Sequence, residues 1–179
     1  MKNLRKKLMT VLLTAVMAVG ILQVSAVTVF AEENPLKFTA NAASEITFNY
    51  SSGTDVQYRK NDGAWTDCPS GTLIELTAGE YVSFKGTGVT TNNGDKHFTI
   101  TGYVTASGDI TSLTNGAGGV EELETERCYQ YMFLGCSGLT DAGDLILPST
   151  TLSKYCYQYM FKGCVNLTKA PELCSSTRK

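Results

Sequence analysis

The stretch CYQYMFLGCSGLT (residues 128–140) returns 28 residues further on as CYQYMFKGCVNLT (156–168), identical at ten of thirteen positions. This near-verbatim repeat constrains the fold more than any other feature of the chain. An active site needs its residues once, whereas a stacked structural unit needs them in every layer. DAGDLILPSTTLSKY separates the two copies, and KAPELCSSTRK follows the second, so the second unit stops before its own version of TTLSKY.

Within each copy the residues read as helix, turn and short strand. Thr150 or Thr151 is a suitable N-cap. Leu152, Cys156 and Met160 recur at i, i+4 and i+8 on one helical face. Gly163 can end the helix in the left-handed conformation, as glycine commonly does. Leu167, like Leu139 before it, leads into an extended piece. Four of the six cysteines (Cys128, Cys136, Cys156, Cys164) occupy equivalent places in the two copies, as packing positions would. Stacked helices lie about 8–10 Å apart, and a disulfide needs Cα atoms within about 7 Å, so reduced, buried cysteines are expected. Disulfides, and more remotely a metal site, stay open as alternatives, although zinc favours CxxC spacing or nearby histidines and His97 is the single histidine.

The region from Leu36 to about Leu113 carries a different signal. LKFTA, EITFNY, DVQYRK, AWTDC, TLIEL, EYVSFKG and HFTITGYV are short runs rich in Thr, Val, Ile, Tyr and Phe, several alternating with period two. Ile46, Phe48 and Tyr50 share one face, and Val82 and Phe84 lie opposite Tyr81, Ser83 and Lys85. Asn61-Asp62-Gly63 is a hairpin signal; TAGEY and TNNGDKH read as further turns. This predicts a small immunoglobulin-like β-sandwich, without the Cys…Trp…Cys pattern of true immunoglobulin domains, since only Cys68 falls in this stretch.

The N-terminus reads as a leader. Lys2, Arg5, Lys6 and Lys7 precede an apolar run from Met9 to about Val24, and Val29 and Ala31 satisfy the small-residue rule for cleavage after Ala31. An uncleaved membrane anchor is the rival reading. The expected organisation is therefore a signal peptide at 1–31, a β-sandwich-like module at 32–113, a junction or degenerate capping layer at 114–127, and two repeats at 128–179, the second truncated. ITSL (110–113) is a candidate for a first, degenerate layer. The formal net charge of −2 offers no basic footprint for nucleic acid, and membrane contact is expected only through the leader.

The CYQYMFxGCxxLT word, followed by ILPSTTL or APEL, resembles the BspA-like leucine-rich repeats of bacterial surface proteins. QYRKNDGAWTD and HFTITGYVTASGDITSL resemble the β module that often precedes such repeats. The resemblance implies a leucine-rich-repeat solenoid with short helices and a secreted or cell-surface, non-enzymatic protein engaged in adhesion to host or neighbouring-cell proteins. Arrays of that family run to many repeats, whereas this chain has two.

Candidate contact residues follow from the aromatic content of the word. Tyr129, Tyr131, Tyr157 and Tyr159 form a candidate partner-binding ladder, since tyrosine joins an apolar ring to a polar tip; Met132, Phe133, Met160 and Phe161 are assigned to the core. An alternative site lies in the β module, where Tyr58 and Trp65, expected to face each other across the hairpin, could stack on a sugar ring. That would make the chain a carbohydrate-binding module with the repeats as spacer. No catalytic residue, cofactor or metal is expected: His97 sits beside no nucleophile motif, and Glu121, Glu122, Glu124 and Glu126 read as a solvated charge run. An extracellular protein or glycan is the expected partner, with self-association at the open C-terminal repeat.

Overall fold

Period-two alternation in the first half becomes two sheets facing one another in the structure, a computed structural model describing residues 33–51, 55–89, 94–173 and 177–178. The expected leader at 1–31, part of the TNNGDKH turn and Cys174 lie outside the described residues. The elements in chain order are β1 (Leu36–Ala40), β2 (Ser44–Asn49), β3 (Asp55–Lys60), β4 (Thr66–Asp67), β5 (Leu73–Leu76), β6 (Tyr81–Thr87), β7 (His97–Thr101) and β8 (Val104–Asp109). A single helical turn, α1 (Ser112–Asn115), then leads to β9 (Glu122–Leu123), β10 (Leu139–Ile146), β11 (Thr151–Leu152) and β12 (Thr177–Arg178).

One six-stranded sheet runs β10-β8-β1-β6-β3-β4, and a three-stranded sheet runs β5-β2-β7. Their inward residues meet ring to ring: Phe98 of the small sheet lies 4.9 Å from Phe38 and 5.1 Å from Phe84 of the large one. It also stacks on Phe48 at 4.5 Å. All four rings are fully buried, and removing their apolar surface from water is the main force holding the sheets together.

HFTITGYV, read from sequence as one run, is two strands. Gly102, at φ +79°, is where the chain leaves the small sheet and enters the large one, and a Cβ there would sit 2.4 Å from the Ala43 carbonyl oxygen. The TAGEY turn forms as expected, with Glu80 N donating to Thr77 O at 3.0 Å and Gly79 at φ 87°. The Asn61 hairpin joins β3 to β4 in antiparallel register.

The repeats depart from expectation. The helix expected to run from Thr150 or Thr151 to Gly163, and its counterpart in the first copy, do not form. Each copy is instead a chain of overlapping turns advancing two residues at a time. Gln130 N donates to Arg127 O (3.1 Å) and Met132 N to Tyr129 O (3.3 Å); Gln158 N donates to Tyr155 O and Met160 N to Tyr157 O, both at 3.1 Å. The third residue of each of these turns (Tyr129, Tyr131, Tyr157, Tyr159) has positive φ, between 56° and 62°. Type II turns require this, and glycine usually supplies it. Arg127 and Tyr155 continue the alternation at 63° and 64°.

The alternation has a structural purpose. It aims every second N–H along the stacking direction, so Arg127, Tyr131, Phe133 and Gly135 donate to the carbonyls of Lys154, Gln158, Met160 and Lys162 at 2.8–3.1 Å. Each bond reaches the residue just before its donor's own counterpart, and the two copies therefore lie in register as stacked layers at β-strand spacing. Parallel pairing of β9, β11 and β12 reinforces the stack on one side, as do the bridges Asp141↔Lys169 and Leu147↔Leu173.

The first layer is also welded to the sandwich. β10 pairs in parallel with β8, Phe133 stacks on Phe98 at 5.7 Å, and Phe98 N donates to Met132 O at 2.8 Å. Glu32–Lys179 accordingly forms one compact unit, mainly β throughout.

Candidate contact surface

The stacked layers set equivalent side chains one above another. Tyr129 stacks on Tyr157 at 5.8 Å, Tyr131 on Tyr159 at 5.5 Å and Phe133 on Phe161 at 5.4 Å, with ring planes within 23° of parallel. The Gln130 amide nitrogen donates to the Gln158 amide oxygen, adding a polar rung between them.

These ladders point in different directions. Tyr129 is fully buried, and its hydroxyl meets Thr114 Oγ1; burial pushes its pKa well above the ordinary tyrosine value. Tyr157 is half-buried, and burial raises its hydroxyl too. The four candidate tyrosines are therefore not alike: Tyr129 belongs to the core and cannot reach a partner. Tyr131 and Tyr159 do border solvent, Tyr159 with 48% of its surface exposed.

Two residues that the sequence reading passed over complete this outer face. Arg127 and Tyr155 occupy the same register in the two layers, one step before each copy of the word. The Arg127 guanidinium lies 5.5 Å from the centre of the Tyr155 ring, a favourable cation–π placement. Lys162 covers Tyr159 in the same way at 5.0 Å. Arg127, Gln130, Tyr131, Tyr155 and Gln158 line a shallow, mostly polar depression of about 370 Å³. Strict periodicity of the aligned units would have flagged this register, because it is where an arginine replaces a tyrosine.

In the sandwich, Tyr58 and Trp65 are not brought together. Tyr58 pairs with Thr66 and Phe84 and packs on the core. Trp65 lies on the opposite face of the sheet, half-buried, with the Arg59 guanidinium 4.7 Å and Lys85 Nζ 4.4 Å from its ring centre. Alternation along β3 separates them, since Tyr58 and Arg59 must project to opposite sides. Lys85 also borders a groove of about 700 Å³ that includes Tyr50, Gln57, Asp67 and Cys68 in its walls.

His97 opens β7 opposite Asn49 and is half-buried. Glu121, Glu122, Glu124 and Glu126 are all exposed around the buried Leu123, so the acidic run forms the solvated side of β9 and its flanks. Among the described residues there is no group of three or more His, Cys, Asp or Glu suited to a metal ion, and no helix long and apolar enough to cross a membrane. The chain matches no family model, no curated protein and no solved structure.

Proposed function

We propose that the chain is a secreted or cell-surface bacterial binding protein, akin to the BspA-like leucine-rich-repeat adhesins, acting by contact rather than by chemistry. Its leader would be removed after Ala31, and the outer face of the repeats would meet host or neighbouring-cell proteins. The observation that carries this reading is the register-stacked outer face of Arg127, Tyr131, Tyr155, Gln158 and Tyr159, with the buried Gln130 beneath it. Tyrosine and arginine are the residues interfaces favour, and here they are held on hydrogen-bonded backbone rather than on a loose loop. Self-association would use the second layer, which carries the exposed Tyr155, Tyr159 and Val165.

A second reading places a glycan at Trp65. What favours it is an indole flanked by two cations beside an open groove. Arg59 and Lys85 would have to move aside for a neutral ring to stack, so an acidic sugar suits the site better.

Residues 32–179 presented to immobilised extracellular-matrix proteins and glycans separate the two. Truncation before the repeats is uninformative, because β10 belongs to the large sheet. Point variants serve instead: Tyr131→Asn with Tyr159→Asn, since asparagine tolerates positive φ, against Trp65→Ala. A loss of tenfold or more with the tyrosine pair alone supports contact through the repeats. The same loss with Trp65→Ala alone transfers the function to the sandwich, and unchanged binding in both sinks both readings.

A further inference from the structure

The cysteines of the two layers form two pairs in register, and the pairs are not alike. Cys136 Sγ donates to Phe98 O and Cys164 Sγ to Phe133 O, both at 3.0 Å. Each thiol of that pair is committed to a carbonyl beneath it. Cys128 and Cys156 instead lie close enough for each thiol to perturb the other. Both sulfurs converge on Thr125, whose hydroxyl lies 3.5 Å from Cys128 Sγ and whose carbonyl oxygen lies 3.5 Å from Cys156 Sγ.

The backbone brings the two thiols within reach of a covalent bond. Tyr157 N donates to Cys128 O at 2.9 Å, which fixes these segments as neighbours at strand spacing, roughly 4.7–4.9 Å. That falls inside the Cα separations of about 4.4–6.8 Å that disulfides adopt. The expectation of unbridged cysteines rested on helix-to-helix distances, and it loses its footing when the helices are replaced by hydrogen-bonded turns.

We propose that Cys128 and Cys156 are an oxidative modification site, a dithiol that a small disulfide oxidant converts into a covalent bridge between the two layers while Cys136 and Cys164 stay reduced. Cys156 is half-exposed and reaches the oxidant; Cys128 is 1% exposed and does not. The Cys156 thiolate attacks one sulfur of the oxidant, forming a mixed disulfide and releasing the first oxidant thiolate. The Cys128 thiol then gives up its proton and attacks the Cys156 sulfur, releasing the second. Two electrons pass to the oxidant, and the protons of the two cysteines end on its two thiols.

The charge environment assigns the same order. Contact with Cys128 draws the Cys156 thiol down to about 7, whereas contact with Cys156 and burial hold Cys128 far above its ordinary value. Cys136 is pushed up to about 12, chiefly by burial, and Cys68 up to about 11 for the same reason. Neither is a competing nucleophile at neutral pH. The bridge would tie the second layer covalently to the first, acting largely by restricting the unfolded chain.

Folded 32–179 incubated with excess oxidised glutathione, quenched in acid, alkylated and digested with trypsin tests this directly. Cleavage after Arg127, Lys154, Lys162 and Lys169 puts Cys128 and Cys136 in one peptide (128–154), Cys156 in a second (155–162) and Cys164 in a third (163–169). The expected product is 155–162 joined to 128–154 with loss of two hydrogens. Fragmentation should place the link on Cys128, and 163–169 should be fully alkylated. Melting should rise by several degrees on oxidation and return on reduction, and C156S should show neither effect. Recovery of 155–162 only as alkylated or glutathione-capped peptide, or linkage of 163–169 to 128–154 as often as 155–162, would overturn the proposal.

Discussion

The two copies of the repeated word adopt the same backbone and live in different surroundings. Positive φ recurs at 127, 129 and 131 in the first layer and at 155, 157 and 159 in the second. Yet Tyr129, Phe133 and Cys128 are buried, while Tyr157, Phe161 and Cys156 are half-buried. Local conformation follows the residues and the hydrogen bonds between layers. Burial follows what lies on either side: the first layer is covered by the sandwich and by the second layer, whereas among the described residues the aromatic stretch of the second is stacked on one side, by the first, and its β11 edge alone is paired on both. Equal sequence therefore does not mean equal energetic weight.

The largest test of that difference is truncation of the paired phenylalanines. Phe133 packs edge-on against Phe38 at 5.9 Å and stacks on Phe98 and Phe161. Phe133→Ala should lower unfolding free energy by about 3–5 kcal/mol, the usual range for emptying a buried aromatic site. Phe161→Ala, at the same place in the word, should cost only about 1–2 kcal/mol, since part of its surface already meets water. Urea denaturation of both variants measures the gap. Equal losses would mean that the second layer is covered in solution by something not described here.

The backbone itself can be tested next. A non-glycine residue in the left-handed region gives up about 1–2 kcal/mol, offset here by hydrogen bonds between layers, each worth about 1 kcal/mol net, and by ring stacking. At Tyr159, an exposed position with φ 56°, glycine and alanine remove the same ring. Tyr159→Gly should then be more stable than Tyr159→Ala by about 1 kcal/mol. A helix would reverse the order by about 0.5–1 kcal/mol. The sign of one difference decides between the expected helix and the observed turns.

That contrast also explains what the sequence could convey. Strands β1, β2, β3, β5 and β6 were legible because alternation with turn residues at the ends has few other readings. The repeat was legible as stacking because only stacking uses one word twice. Its conformation was not. Leu152, Cys156 and Met160 at i, i+4 and i+8 fit a helix face, but a turn that advances two residues at a time returns to the same side at those spacings as well. No composition rule places tyrosine at positive φ, where glycine and asparagine are the usual occupants; the arrangement exists because the next layer supplies the hydrogen bonds. The outer face suffered likewise, since Arg127 and Tyr155 become partners only after the layers are set in register. Trp65 and Tyr58 were misjudged for a simpler reason, a one-residue error in hairpin register, which moves a side chain to the opposite face.

The smallest expected effect lies at the edge where the two layers meet. Lys169 Nζ of the second sits 3.0 Å from Asp141 Oδ2 of the first. The Gly143 N–H and then Lys169 hold the Asp141 carboxyl below its ordinary value, and Asp141 in turn raises Lys169. A depressed carboxylate stabilises the fold above its unfolded value, about 3.9, and loses that contribution as pH falls through the folded value. A raised lysine contributes below its own unfolded value, about 10.4, and loses it as pH rises through the folded one. The pair should therefore support the stack across the neutral range and fail at both ends. Both side chains are solvated, so the effect is slight and screened by salt. Lys169→Met should melt slightly below the unmodified chain at pH 7 in low salt. The difference should close as pH falls through the depressed folded value of Asp141, and again in molar salt, where charges are screened within about 3 Å. A difference of the same size in low and in molar salt at pH 7 would assign the loss to the lysine's aliphatic stem, leaving the hydrogen bonds and rings alone to hold the second layer on the first.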